Sequence, residues 1–375
     1  MSFQITAQDS NSSARCGVLK LNRINLTTPL FMPVCTNATP KALDFVKLKE
    51  IGFEMVVCNA YHLFLRPGSS FIRENFNGLH EFSKWNNAIL TDSGGFQVWS
   101  LGSSVKIHDN GVLIKSHIDG SLNDITPELS IQTQEELNSD IMMIFDDCPN
   151  PDSEYSLLLK SINRTKEWAR RCKDAKKTKN LLFGIVQGGI YDDLRELSAT
   201  HMTEIGFDGY AIGGLAVGEG HEVMVKTLKS SINYLPINKP RYLMGVGYPK
   251  DIIAGVKLGV DMFDCVIPTR SGRTGKIFTK NGTLNIKNSR HKNDPRPIEE
   301  GCLCKVCNNK ISRAYLYHLF NTKEMLGATY LTIHNINHYI QLMSTLREAI
   351  NNNNYNETSN HLINEYKKGD IEIYN

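Results

Sequence analysis

DIMMIFDDC (Asp140–Cys148) and LLFGIVQGG (Leu181–Gly189) are the stretches that decide the fold of this chain. Each is a continuous apolar run that ends in a polar or glycine-rich cluster. Runs of this length without polar alternation suit parallel strands buried on both faces. Five more follow the same plan: FEMVVCNAYH around Val56, AILTDSGGF around Leu90, DGYAIGGLAVG around Ile212, RYLMGVGYP around Met244 and VDMFDCVIP around Phe263. Segments of helical length and spacing separate them, such as Ser153 to Lys173 and Tyr191 to Ile205. This alternation predicts an α/β chain folded as a (β/α)8 TIM barrel in preference to a doubly wound sheet. The polar ends of the runs then meet at the C-terminal mouth, where barrel enzymes build their sites.

The flanks break the pattern. ARCGVLKLNRINLTTPLFMPV (Ala14–Val34) alternates, and predicts an N-terminal antiparallel hairpin that plugs one end of the barrel. From Thr279 to about Thr322 the sequence turns polar and cysteine-bearing, which predicts a metal-binding subdomain. TIHNINHYIQLMSTLREAI (Thr332–Ile350) and the stretch to the end predict a helix pair, joined by an Asn-rich surface loop at Asn351 to Asn356. The expected division is a barrel with its β extension at 1–278, the metal subdomain at 279–335 and C-terminal helices at 336–375, integrated as one domain.

With 375 residues, 41% hydrophobic and 22% charged, the composition is that of an ordinary globular chain. No apolar run approaches the roughly 20 residues of a membrane helix, so no membrane partner is expected. The start, MSFQITAQDS, lacks the cationic and apolar parts of a secretory signal. A cytoplasmic protein is expected. A net charge of +3 is too small to announce nucleic-acid binding, so any RNA site must come from local clustering. Of nine cysteines, six (Cys16, Cys35, Cys58, Cys148, Cys172, Cys265) lie singly and far apart, which points to a reducing compartment.

The other three, Cys302, Cys304 and Cys307, give C-x-C-x2-C, three corners of a tetrahedral zinc site. His334, at the start of a helical segment, is the first choice for the fourth ligand, with His318 and His338 as competitors. Four protein ligands leave no open position, so one structural zinc per chain is expected.

DMFDCVIPTRSGRTGK (Asp261–Lys276) sets Asp264 among apolar neighbours and follows it with Arg270, Arg273 and Lys276. A carboxylate beside cations has two readings: a structural ion pair, or chemistry on an anionic polymer whose phosphates the cations hold. Other strand ends carry Asp92 with Ser93 and Gly94-Gly95, Asp146 with Asp147, and Gln187 with Gly188-Gly189. Any one aspartate could be a helix N-cap, but three on separate strand ends favour a nucleophile or base paired with an acid. Asp146 and Gln187 have the acceptor and donor types that read a purine edge. Gly213-Gly214 would let backbone approach a flat ligand, and Phe96 and Met244 could sandwich a ring. GGLAVGEG lacks the lysine of a phosphate-binding loop. The basic segment Lys160 to Lys179 reads as a solvated outer helix.

TDSGGFQ (Thr91–Gln97), FDDC (Phe145–Cys148), VQGG (Val186–Gly189), GGLAVGE (Gly213–Glu219), FDCVIPTRSGRTG (Phe263–Gly275) and C-x-C-x2-C…IHN occur in family order across almost the whole chain. Together they resemble bacterial tRNA-guanine transglycosylase, also called queuine tRNA-ribosyltransferase. The resemblance implies a zinc-bearing (β/α)8 barrel that exchanges guanine at the wobble position of GUN-anticodon tRNAs (Asp, Asn, His and Tyr tRNAs). The incoming base is 7-aminomethyl-7-deazaguanine, a precursor of queuosine. It further implies Asp264 as nucleophile through a covalent ribosyl intermediate, and Asp92 as general acid/base. Ser93, Asp146, Cys148, Gln187, Gly213 and Gly214 would hold the base edge, with the Leu215 backbone at its substituent. Phe96, Met244 and Gly245 would line its faces. Arg270, Arg273 and Lys276 would hold anticodon-loop nucleotides, Cys302, Cys304, Cys307 and His334 the zinc, and two copies of the chain would form a homodimer, through the zinc subdomain and Ser312 to Leu319. Cys148 and Val217 match the bacterial form, whose pocket takes the small aminomethyl base. At two places the chain departs from the family. Phe96 stands where Tyr is frequent, and the Cys307–His334 spacing is one residue longer, through an insertion before SRAYL (Ser312–Leu316).

Two rival classes make different demands. A non-catalytic RNA-binding subunit would lack Asp264 or Asp92, and this chain has both. A metal-dependent barrel hydrolase needs histidine ligands at strand ends, where only His62 is offered.

Overall fold

The computed structural model describes residues 2–95, 105–150 and 153–374. The chain begins with an antiparallel sheet of β1 (Phe3–Gln8), β2 (Arg15–Lys20) and β3 (Asn25–Thr28). β4 (Leu30–Pro33), β5 (Met55–Asn59) and β6 (Ala88–Asp92) open the barrel. An antiparallel insertion follows, of β7 (Val105–His108), β8 (Gly111–Lys115) and β9 (Leu122–Ile125). The barrel resumes with β10 (Ile141–Met143), β11 (Leu181–Val186), β12 (Gly209–Ile212), β13 (Arg241–Leu243) and β14 (Met262–Cys265). A hairpin of β15 (Lys276–Thr279) and β16 (Gly282–Asn285) leads into the cysteine-bearing segment.

The eight barrel strands pair in parallel in the order β4-β14-β13-β12-β11-β10-β6-β5. A parallel bridge between Val34 and Val57 joins the two ends, with the Cys35 amide donating to Val57 O at 2.7 Å. The expected (β/α)8 architecture is therefore present. Its strands are buried nearly throughout, as their unbroken apolar runs require: every residue of β5, β10, β12 and β13 is buried. The seven predicted runs supply seven strands. The eighth, β4, lies at the end of the segment expected to form only a hairpin.

The sheet of β1–β3 covers the end of the barrel opposite the mouth. Arg15, fully buried, sends its guanidinium to both oxygens of Asp261 at 3.0 and 2.6 Å and to the carbonyls of Ile237 and Lys239, all just ahead of β13 and β14. A buried ion pair is tolerated only when its remaining donors are satisfied, as they are here.

At the other end of the chain, the helix Met325–Asn351 runs for 27 residues, so the expected boundary at 335/336 falls inside it. His334 accordingly sits in the middle of this helix and not at a helix start. Tyr355–Tyr366 forms the second helix of the predicted pair. Among the described residues no helix is long and apolar enough to cross a membrane.

Candidate active site and metal centre

The C-terminal ends of the barrel strands enclose a cavity of about 430 Å³, inside the range of small-molecule sites. Asp92, Ser93, Asp146, Cys148, Gln187, Gly213, Gly214, Leu215, Met244, Gly245 and Asp264 all line it. The position of Phe96 lies outside the described residues.

Asp264 stands third in β14, whose register places it beside Met32 of β4. Its Oδ1 accepts from the Tyr242 hydroxyl at 2.7 Å and from the Gly245 amide at 2.8 Å. No described cation pairs with it; the ion pair in this stretch belongs to Asp261. Burial raises the Asp264 pKa, while the hydrogen bonds from Gly245 and Tyr242 oppose the rise. Burial and the neighbouring Asp264 hold the Tyr242 phenol well above its usual range, so it stays a donor.

Asp92, at the end of β6, is partly exposed to the same cavity. Its Oδ2 accepts from Asn59 Nδ2 at 2.6 Å and its Oδ1 from the Ala60 amide at 3.1 Å. Asn59 in turn caps the helix Ala60–Leu65 by accepting from the His62 amide. The carboxylate is thus held by the exit loop of the neighbouring strand.

The two aspartates of FDDC point opposite ways. Phe145 stacks on Trp168 with centroids 5.0 Å apart, pinning the exit of β10. Asp147 turns outward to a buried pair with Arg164. Asp146 turns into the cavity and accepts from Gln187 Nε2 at 2.8 Å. Burial pushes Asp146 up to about 6, with Gln187 opposing and Asp147 adding. The Cys148 thiol beside it is raised by burial and stays neutral.

Gly213 and Gly214 make room for that amide. A Cβ at Gly213 would lie 2.7 Å from Gln187 Nε2, and one at Gly214, whose φ is +66°, would lie 2.6 Å from Gln187 Oε1. Behind them Arg195, fully buried, donates Nε to Gly189 O at 2.8 Å, Nη1 to Gly213 O at 2.8 Å and Nη2 to Gly214 O at 3.4 Å. Among the described residues no carboxylate pairs with it, and burial lowers it to about 10. Arg195 was not foreseen from the sequence, since a buried arginine in a helix reads like a solvated one. On the far side of the same loop, Glu219 accepts from the amides of Ala216 and Val217. A trans peptide opposes its N–H and C=O, so the Leu215 carbonyl points away from Glu219.

Arg270 and Arg273 are exposed on the helix Ile267–Thr274, which leaves β14 at the mouth. Three residues apart, they share a face. Lys276 instead holds its ammonium over the Tyr248 ring, 5.4 Å from the centroid. Between residues 267 and 323 lie twelve Lys and Arg against three Asp and Glu, so the modest net charge of +3 hides a strongly cationic stretch of sequence. The basic segment Lys160–Lys179 lies elsewhere. Its helix Tyr155–Ala175 leads away from the mouth to the start of β11, and Arg164, Arg170 and Arg171 are paired with Asp147, Glu167 and Glu128.

Cys302, Cys304, Cys307 and His334 converge, their ligand atoms all within 4.8 Å of one another. His334 Nδ1 lies 3.8, 3.4 and 3.4 Å from the three sulfurs. A tetrahedral zinc with the usual Zn–S and Zn–N lengths has S···N edges of about 3.5 Å. His334 Nε2 donates to Phe278 O at 2.8 Å, which leaves the Nδ1 lone pair for a metal. Hydrogen bonds from Cys302 and Cys307 pull the Cys304 thiol down toward the thiolate that a metal takes. His338 stacks on Phe278 and His318 is exposed, so neither competitor joins the cluster. These four side chains can hold a metal ion.

Comparison with known proteins agrees with this geometry. The profile of the queuine tRNA-ribosyltransferase family matches residues 9–368. The chain is 50% identical to the queuine tRNA-ribosyltransferase of Natranaerobius thermophilus over 357 residues, 95% of this chain and 96% of that one. It is 48% identical to that of Ruegeria sp. (strain TM1040) over 350 residues, covering 93% and 92%. It is also 48% identical to that of Halothermothrix orenii over 351 residues, covering 93% and 94%. With a matching profile along nearly its whole length and relatives at half identity, the chain belongs to the queuine tRNA-ribosyltransferase family, whose members are pentosyl-transferring enzymes.

Proposed function

We propose that this enzyme exchanges guanine at the wobble position of GUN-anticodon tRNAs for 7-aminomethyl-7-deazaguanine. The observation that carries the reading is Asp264, raised by burial yet held at one oxygen by two donors, on the wall of a cavity that it shares with Asp92 and with the Asp146–Gln187 pair.

Tyr242 and Gly245 occupy Oδ1, which leaves Oδ2 to attack the ribose anomeric carbon. The glycosidic bond breaks as the ester bond to Asp264 forms, and the leaving guanine takes its bond electrons and a proton from Asp92. The incoming base then gives its ring proton to Asp92, its nitrogen attacks the anomeric carbon, and the ester breaks to regenerate the Asp264 carboxylate. Two displacements retain configuration, the logic of retaining glycoside transfer. Asp146 accepts N–H donors of the guanine edge and Gln187 answers its carbonyl. The Leu215 carbonyl, turned away from Glu219, suits the cationic aminomethyl group. The target nucleotide must be extruded from the anticodon loop to reach this depth, with Arg270 and Arg273 holding its neighbours.

One zinc per chain would be held by the three cysteines and His334, where it organises the fold and takes no part in the transfer. Reduced thiols suit the cytoplasm. Tyr315, Met325 and Leu326, 42%, 86% and 41% exposed on the metal-bearing side, offer an apolar face for a homodimer. The test is incorporation of labelled guanine into unmodified tRNA. A GUN-anticodon tRNA is expected to gain label while a tRNA without it does not. Equal labelling of both, or of neither, would contradict the reading.

A further inference from the structure

Asn335 follows His334 in the helix Met325–Asn351 and is fully buried. Its Nδ2 donates to Pro268 O and to Lys276 O, each at 3.1 Å. Those carbonyls lie at opposite ends of the segment that forms the helix Ile267–Thr274. One side-chain amide therefore spans the segment that presents Arg270 and Arg273.

His334 and Asn335 together also hold both backbone groups of one residue, Phe278. Asn335 Oδ1 accepts from the Phe278 amide at 3.0 Å, and His334 Nε2 donates to Phe278 O at 2.8 Å. The contact between the helices is close: a Cβ at Gly272 would lie 2.6 Å from Thr332 Oγ1 and 2.7 Å from Thr332 N. The arginine-bearing helix therefore has little freedom to slide on the helix beneath it. A cation held in place before RNA arrives loses less freedom on binding.

We propose that Asn335 is a positioning residue for RNA. It fixes the direction of Arg270 and Arg273, and it ties that direction to the metal centre through the adjacent His334. The proposal rests on the reading that Arg270 and Arg273 hold the anticodon loop.

The test uses the full-length, metal-loaded protein with Asn335→Asp, which keeps the acceptor for Phe278 and removes both donors, and with Asn335→Leu. Affinity for an anticodon stem-loop is read by fluorescence anisotropy, guanine KM by exchange, and metal content by mass spectrometry. Each variant is expected to bind RNA roughly tenfold more weakly, about the loss of one charge-assisted contact. Guanine KM and one metal per chain should be retained. Combined with Arg270→Ala and Arg273→Ala, Asn335→Asp should add little further loss, because it acts through those arginines. Unchanged RNA affinity, an equal rise in guanine KM, or full additivity with the arginine variants would overturn the coupling alone. Arginine variants that bind RNA as tightly as the unaltered protein would overturn the coupling and the RNA-grip reading together. If Asn335→Leu does not fold, the Asn335→Asp cycle still decides.

Discussion

The Tyr242 hydroxyl lies 2.7 Å from Asp264 Oδ1 and donates to it, a bond made between two adjacent barrel strands. It divides the carboxylate into a held oxygen and a free one, and it lowers the pKa of a nucleophile that burial raises. Removing it with Tyr242→Phe should cost roughly 1.5–3 kcal/mol of transition-state stabilisation, the usual worth of a hydrogen bond to a charged group. The expected loss in kcat is about tenfold or more, and the acidic limb of the pH–rate profile should move to higher pH. An unchanged profile would show that the bond does not tune the nucleophile.

Asp146 gives the base-binding step its own pH dependence. Its pKa is pushed up to about 6, and it must be ionised to accept from the guanine edge. Guanine KM should rise as pH falls below about 6, approaching tenfold per unit. The stability effect has the opposite sense. With its folded pKa above the unfolded value, this group favours the folded state most when protonated, so the free enzyme loses stability as pH rises through about 6. In Asp146→Asn both dependences should vanish, as read by KM and by thermal unfolding across pH.

Gly213→Ala tests the fit of the base-reading amide. The new methyl would lie 2.7 Å from Gln187 Nε2, and the flexible side chain must give way. Its bond to Asp146 would then break, so guanine KM should rise about tenfold or more while the unfolding temperature changes little. A change in stability without a change in KM would place the glycine's role in the fold alone.

Cys304→Ser should lose its metal, as measured by mass spectrometry on purified protein. Removing one ligand of four leaves a buried cluster with an open corner, and structural zinc contributes folding energy directly. The variant should unfold at lower temperature. A protein that retains one metal per chain would refute the site.

The barrel was readable because its strands are buried on both faces, which leaves uninterrupted apolar runs such as Met55 to Cys58 and Leu181–Val186. β4 was not, since four residues directly after β3 carry no period of their own and merge with the alternation before them. The insertion β7–β9 also escaped, because its strands are short and only the middle one, Gly111–Lys115, is largely buried. Asp264, Asp92, Asp146 and Gln187 were legible as polar residues that end apolar runs. Tyr242, Arg195 and Asn335 were not, because they act by filling partners supplied from elsewhere in the chain. The alternation of β13 could have suggested Tyr242, two residues before Met244 and so on the same face. Nothing local marks Asn335 as the span across Pro268 and Lys276.

The central claim is the covalent bond between ribose and Asp264. The most direct measurement mixes the enzyme with end-labelled anticodon stem-loop RNA, denatures it, and maps any protein–RNA adduct by mass spectrometry. The unaltered enzyme should carry an adduct on Asp264, and Asp264→Ala should carry none and exchange no guanine. An adduct on Asp92, or full exchange by Asp264→Ala, would contradict the account.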